Sequence, residues 1–328
     1  MTPPVTILGA GVAGLTTAWE LTQRGLDVSL VDPNGAAGVH GCSWWAGGML
    51  APICESEVAE EPVVRLGALA AEWWARAGVE VVRKGSLVLA LDRDQRELDR
   101  FARRIDGGVM LDAAGVAELE PGLEARFSRG LFVAEEGHLD PRAALASLQT
   151  GLAAKGVVVS QDAPTAGQVI DCRGLTACDH LADLRGVRGE MVVLRAPDVS
   201  LSRPVRLLHP RHPLYVVPRG DGVFMLGATQ IESEGRGPAS LRSVVELLSA
   251  AYALDPAFGE AEVLEIGADA RPAFPDNLPR IRRRGERVYV NGLFRHGFLL
   301  APALAQMTAE FLTNGIRPEV MDEDTCER

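Results

Sequence analysis

Three glycines in the run Gly9-Ala10-Gly11-Val12-Ala13-Gly14, with an acid and a proline further on at Asp32 and Pro33, have the types and spacing to hold a dinucleotide. Gly9 permits a tight turn, and Gly11 lets a pyrophosphate approach the backbone. Gly14 lets a helix pack closely on a strand. The free N–H groups of the helix's first turn, at Val12 and Ala13, then face the phosphates. Asp32 can accept hydrogen bonds from ribose hydroxyls, and its charge repels a 2′-phosphate, which disfavours NADP. The motif by itself leaves FAD and NAD both open.

The surrounding pattern supplies the elements such a site needs. Val5-Thr6-Ile7-Leu8 is a short apolar strand running into the glycines. A helix follows with Leu15, Ala18 and Leu21 inward, closed by Gly25, and Val28-Ser29-Leu30-Val31 is a second strand ending at Asp32. The C-terminal region repeats the plan. Arg287–Asn291 reads as a strand, Gly292-Leu293-Phe294-Arg295-His296-Gly297 as a turn, and Leu299–Leu312 as a helix. Pro302 is expected in that helix's first turn, and Gly315 lies beyond its end. A positive helix end aimed at an isoalloxazine would stabilise the anion of a reduced flavin, whereas nicotinamide develops no anion. Val169–Gly174 is a candidate for the central strand that returns to the cofactor.

The 328 residues are 47% hydrophobic and 23% charged, which fits a globular chain with a sizeable core. A net charge of −11 argues against nucleic acid or an anionic membrane as partner. No run of eighteen apolar residues is present, so no membrane insertion is expected. The strand begins so soon after Met1 that no signal peptide is expected, and five cysteines without a CxxC pair read as free thiols; both point to the cytoplasm. No HExxH occurs, and Pro210 inside His209-Pro210-Arg211-His212 argues against a helical metal pair, so no metal site is expected.

Further runs carry a family likeness: Ser43-Trp44-Trp45-Ala46-Gly47-Gly48-Met49-Leu50-Ala51-Pro52, Leu214–Arg219, Gly227-Ala228-Thr229, Ala270-Arg271-Pro272 with Pro275-Asp276-Asn277, and Phe294–Pro302. With Gly9–Asp32 they make the chain resemble the glycine oxidase and D-amino acid oxidase family of flavoproteins, and within it the glycine oxidases of thiamine biosynthesis. The resemblance spans nearly the whole chain. The Gly48–Pro52 and Gly297–Pro302 runs are its specific parts.

The resemblance implies an α/β plus α+β fold: a Rossmann-like FAD-binding domain interleaved with an antiparallel-sheet substrate domain, as in D-amino acid oxidase. Residues 1–55, 135–187 and 265–328 would form the first, and 56–134 with 188–264 the second. The residues agree with a sheet-rich insertion. Strand candidates Leu214–Val217 and Val223–Leu226 flank the hairpin signal Gly220-Asp221-Gly222, with further candidates at Ser86–Leu91 and Glu190–Leu194. Leu241–Tyr252 reads as a helix.

By position, Arg271 matches the family arginine that grips the substrate carboxylate through two parallel hydrogen bonds, and Tyr215 matches the tyrosine that helps hold it. Without the motif, Arg271 reads as a surface arginine and Tyr215 as a sheet aromatic. Ser43, Ala46, Gly47, Gly48 and Met49 match the loop passing the flavin ring. Leu293, Phe294, Arg295, His296, Gly297, Phe298 and Leu299 match the flavin-edge turn, with Arg295 and His296 expected to act through their backbone. Many relatives have asparagine or another polar residue where His296 stands. Gln230 replaces a pocket methionine found in some glycine oxidases. Trp44 and Trp45 read equally as a shield or as core.

The stretch Arg271–Pro302 has no cysteine, so the FAD is expected to be non-covalent. Glu55, Glu57, Glu60 and Glu61 are expected to be exposed, Arg280 with Arg282–Arg284 to form a solvated loop, and at least one of Trp73 and Trp74 to be buried. The implied reaction is hydride loss from the α-carbon of glycine or another small amino acid, with O2 as the electron acceptor. None of the matched segments supplies a paired histidine or carboxylate as an obvious base. A D-amino acid dehydrogenase and a sarcosine-type amine oxidase of the same fold are the alternatives. The family often forms homotetramers.

Overall fold

The computed structural model describes residues 3–162, 164–209 and 213–323; Met1, Pro210, Arg211, His212 and Cys326 lie outside them. Val5–Leu8 is a strand flanked by Val28–Val31 on one side and Gln168–Asp171 on the other, both parallel to it. A strand covered on both faces is apolar throughout, which is why Val5, Ile7 and Ile170 are all buried. The sheet continues from Gln168–Asp171 to Arg287–Asn291, Arg280–Arg284 and Met321–Glu323, and from Val28–Val31 to Val159–Ser160. Its seven strands thus come from the two ends and the middle of the chain.

Helix Val12–Gln23 follows the first strand with Leu15, Ala18 and Leu21 fully buried. It packs on helix Gly297–Asn314, which follows Arg287–Asn291. The latter helix starts two residues earlier than its sequence pattern suggests, so Pro302 is not in its first turn. A proline there leaves the carbonyl of Phe298 without its helical donor. Trp74 fills the gap: its indole N–H donates to Phe298 O at 2.8 Å, and its ring stacks on Phe298 at 5.6 Å. Trp73 and Trp74 are both buried.

The second sheet has nine strands. Arg185–Arg195 and Glu262–Ala273 form its long antiparallel arm, crossing positions 187/188 and 264/265 where the expected segments change. Leu214–Pro218 and Val223–Gly227 make the hairpin around Asp221, which sits at φ 50°. Val205–Leu208 lies antiparallel to the first hairpin strand and parallel to Ser86–Ala90. Helix Leu241–Leu254 covers one face of this sheet, burying Leu247 and Ala251 in an apolar core with Val192, Val216 and Leu226.

Arg280–Arg284 is a strand of the first sheet and not a solvated loop. Arg282 is buried over the Phe274 ring at 4.1 Å and paired with Asp183 and Asp322. Cross-strand pairing and these carboxylates override the polar composition. Among the described residues no helix is long and apolar enough to cross a membrane.

Candidate active site

One cleft runs between the two sheets and is lined by both glycine turns. At its floor Gly9 has φ +98°, and a Cβ there would lie 2.6 Å from the Cys172 carbonyl oxygen. A Cβ on Gly14 would lie 1.8 Å from Gly9 O, so neither position admits a side chain without moving backbone. Gly11 caps helix Val12–Gln23 without a side-chain bond. The Ser43 hydroxyl accepts the Val12 N–H at 3.1 Å, and the carboxylate of Asp32 accepts N–H groups from Ala10 and Asn34 at 2.9 Å. A glycine cradle, a helix end whose own N-cap residue supplies no side-chain bond and an acid at the neighbouring strand tip fit the pyrophosphate and ribose of FAD. Val12, Ala13 and Pro33 line the same region, whereas Gly14 acts through packing behind it.

The loop Ser43–Met49 lies along the cleft. A Cβ on Gly48, at φ +72°, would sit 2.2 Å from Leu139 O, and one on Gly47 would meet the Tyr215 ring at 2.9 Å. Arg219, unassigned by sequence, fastens this loop. Its guanidinium donates to Leu139 O, Ala46 O and Gly47 O at 3.0, 3.2 and 2.8 Å. Burial pulls its pKa down to about 10 despite Asp140 nearby. Trp44 and Trp45 both line the cleft half-buried, Trp45 lying flat on Gly267. Gln230 lines it too, exposed.

The turn Leu293–Leu299, expected at the flavin edge, lines the same cleft. Phe294 holds φ +51°, an uncommon value for a non-glycine, and its N–H donates to Pro272 O at 2.9 Å. That bond ties the turn to the strand bearing Arg271.

Arg271 and Tyr215 come from different strands into this cleft. The Arg271 guanidinium lies across Gly189, whose Cβ would fall 2.1 Å from Nη2, and donates to Thr229 O at 3.2 Å. Among the described residues no carboxylate stands within ion-pair distance of it. Thr229 is itself held by Glu190, which accepts its N–H at 3.2 Å through the carbonyl and donates to its hydroxyl at 2.9 Å. Tyr215 passes over Gly47 and Gly227, where any Cβ would collide with the ring. Burial raises the phenol's pKa, against the guanidiniums of Arg271 and Arg206.

Glu55 corrects the expectation of exposure: it is buried. Its carboxylate receives Arg206 Nη2 and Arg295 Nη2 at 2.6 Å each and His296 Nε2 at 3.0 Å. Burial acts to raise its pKa, but Arg295, Arg206 and the histidine hydrogen bond hold it well below the usual carboxylate range. The Arg295 and His296 side chains are therefore engaged, beyond the backbone contact expected of them. Arg206 was invisible in sequence. It stands opposite Tyr215 in the antiparallel register, so both point to one face of the sheet.

Comparison with known proteins agrees with this architecture. The family model described as DAO, FAD dependent oxidoreductase, matches residues 4–311. A Rhizobium etli protein provisionally named as the thiamine biosynthesis oxidoreductase ThiO is 54% identical over 96% of this chain and 98% of its own length. A Bacillus licheniformis glycine oxidase is 25% identical over 98% of this chain and 96% of its own length. The crystal structure of a Geobacillus kaustophilus glycine oxidase superimposes with a TM-score of 0.80 at 24% identity, covering 98% of this chain and 96% of that one. Two glycine turns meeting in one cleft have their explanation here: the chain belongs to the FAD dependent oxidoreductase family and is a FAD-dependent enzyme.

Proposed function

We propose that the protein oxidises glycine, or another small amino acid, to the imino acid with reduction of O2 to H2O2, supplying dehydroglycine for the thiazole of thiamine. The observation that carries this reading is the Arg271 guanidinium, held from behind by Thr229 O and facing the cleft with no carboxylate partner among the described residues. A planar cation so placed can receive a carboxylate through two parallel hydrogen bonds. The R. etli relative's name and the glycine oxidase names of other relatives point the same way.

Residues 1–55, 135–187 and 265–328 would hold FAD, with Gly9, Gly11, Val12, Ala13, Asp32 and Pro33 at the pyrophosphate and ribose. Ser43, Ala46–Met49 and Leu293–Leu299 would lie along the ring. Bound there, FAD supplies the acceptor for the hydride. Arg271 binds the substrate carboxylate and so orients the α-carbon, with Tyr215 beside it. Trp44 and Trp45 exclude water from the cleft mouth, while Arg219 fixes the loop on which substrate and ring meet. Fixed geometry and preorganised charge are the sources of rate enhancement. Cys42 and Cys172 line the cleft as free thiols. Burial pushes both thiols up, that of Cys42 to about 12, so neither is a ready nucleophile for covalent flavin attachment.

Anaerobic bleaching of the yellow protein by glycine, sarcosine and D-alanine ranks the substrates, and peroxide formation under air identifies O2 as acceptor. Bleaching without peroxide would make it a dehydrogenase, and preference for sarcosine a sarcosine-type oxidase.

A further inference from the structure

A second cavity, of about 680 Å³, adjoins the cleft and shares a wall with it. Arg206, Tyr215, Ala228, Thr229, Gln230 and Arg295 line both. Thr229 O accepts from Arg271 at 3.2 Å, so the shared wall begins beside the guanidinium that faces a substrate carboxylate. Glycine has no substituent to enter such a space. Strand Val205–Leu208 sends Val205 and Leu207 into an apolar core, which turns Arg206 to the other face, beside its cross-strand neighbour Tyr215. Burial raises the pKa of the Tyr215 phenol, and the charges of Arg271 and Arg206 both oppose that, so both cations lie close to it. Among the described residues Arg206 makes one side-chain hydrogen bond, from Nη2 to Glu55 Oε1 at 2.6 Å, which leaves most of its donors unused. Arg295 Nη2 lies on the same carboxylate at 2.6 Å. Two guanidiniums thus share one acid. Glu136, also near Arg206, accepts the Cys54 N–H at 2.6 Å, and burial raises its pKa, which weakens it as a counter-charge. Glu57 and Glu97 line the second cavity but are paired with Arg104 and Arg100, at 2.7 and 2.5 Å, and Glu246 is engaged as well. The surplus on the shared wall is positive, and a cation withdrawn from water is costly until an anion meets it.

We propose that this wall is a second anion subsite with Arg206 as its recognition residue, and that the enzyme also accepts amino acids bearing a second carboxylate. This rests on the amino-acid oxidase reading above and extends it to a further substrate class. Arg271 and Tyr215 hold the α-carboxylate. The second carboxylate, carried on the nitrogen or on the α-carbon, passes the Tyr215 ring to reach Arg206 and Arg295. Both kinds of arm keep the two acid groups a few bonds apart, and Arg206 is the direct cross-strand neighbour of the tyrosine that lines the first subsite. The bond broken at the α-carbon and the electron acceptor remain those of the proposed reaction. The subsite decides which amino acid is held, and Glu55 keeps the two guanidiniums in place for it.

The test compares acids with their isosteric amides on the holoenzyme: iminodiacetate against its monoamide, and D-aspartate against D-asparagine. For the arm that fits, kcat/KM of the acid should exceed that of the amide about tenfold. An advantage in the first pair puts the second acid on the nitrogen, and one in the second pair puts it on the α-carbon; either supports the subsite. In Arg206→Gln the advantage should vanish, and Arg206→Lys, which keeps the charge without the fork, should retain part of it. Amides that match their acids in both pairs, or an acid advantage undiminished in Arg206→Gln, overturns the proposal. A second readout needs neither turnover nor a variant. Titrated against the wild-type flavin spectrum, oxydiacetate should bind with a Kd about tenfold below that of methoxyacetate, or D-malate with one about tenfold below that of D-lactate. Equal Kd values within both pairs overturn it. Wild-type protein that no amino acid bleaches overturns both this proposal and the functional reading. Bleaching by glycine, with no acid advantage in either pair, overturns this one alone.

Discussion

In the proposed function, Arg271 contributes a charge-assisted pair that the substrate makes on binding and keeps through the reaction. Arg271→Ala should therefore raise the KM for glycine roughly 30-fold, the equivalent of about 2 kcal/mol, with a smaller change in kcat. Steady-state kinetics under air measure both, and an unchanged KM would remove Arg271 from the binding site. The guanidinium is available because Thr229 O occupies only one of its donors. Glu190, buried behind Thr229 and held by Arg188 and the Ser240 N–H, keeps that carbonyl in place. One exposed-looking arginine in sequence is thus the tip of a buried polar network.

Two elements depend on contacts that their own sequences do not contain. Helix Gly297–Asn314 carries Pro302 in its interior, at a place where such a residue ordinarily breaks the ladder. Trp74 supplies the missing donor. Trp74→Phe keeps the aromatic packing but leaves Phe298 O buried and unpaired, at a cost of about 1–3 kcal/mol. Thermal unfolding should show a lower Tm, and an unaltered Tm would mean that another donor reaches the carbonyl. Helix Val12–Gln23 depends on Gly14. With 1.8 Å between its hypothetical Cβ and Gly9 O, Gly14→Ala must displace the glycine turn itself. That variant should purify with little or no flavin absorbance, and full retention of the chromophore would contradict the cradle.

At the scale of the whole molecule, the two sheets are joined near a short ribbon in which Met49–Leu50 pairs with Gly137–His138. His138 is buried there. Burial, followed by the charges of Arg219 and Lys84, lowers its pKa to about 4. The unfolded chain binds this proton at about 6.5 and the folded chain only near 4, so folding stability is fully present above the first value. It declines as pH falls between the two, by about 3 kcal/mol at most. His138→Gln should flatten the stability–pH curve within that window in denaturant titrations. An equal slope in both proteins would show that other groups set it. Glu55 acts in the same direction at lower pH, since its depressed pKa gives stability that is lost as the carboxylate protonates.

The sequence by itself determined the dinucleotide fold, both glycine turns and the positions of Arg271 and Tyr215. Each depends on local rules: where a backbone can tolerate only glycine, which periodicity builds a strand or helix, and which short runs a family repeats. The hairpin at Asp221 and the inward face of the first helix were legible for the same reason. Only the tertiary structure decided how side chains distant in the chain share charge. Glu55 reads as one more acid in an acidic stretch, and Arg280–Arg284 as a polar loop, because nothing nearby announces the partners that bury them. The Glu55–His296 pair, 241 positions apart, exists because the two sheets bring helix Pro52–Glu55 and the flavin-edge turn to one cleft. A charge leaves water only where opposite charges are already waiting, and no local pattern records that.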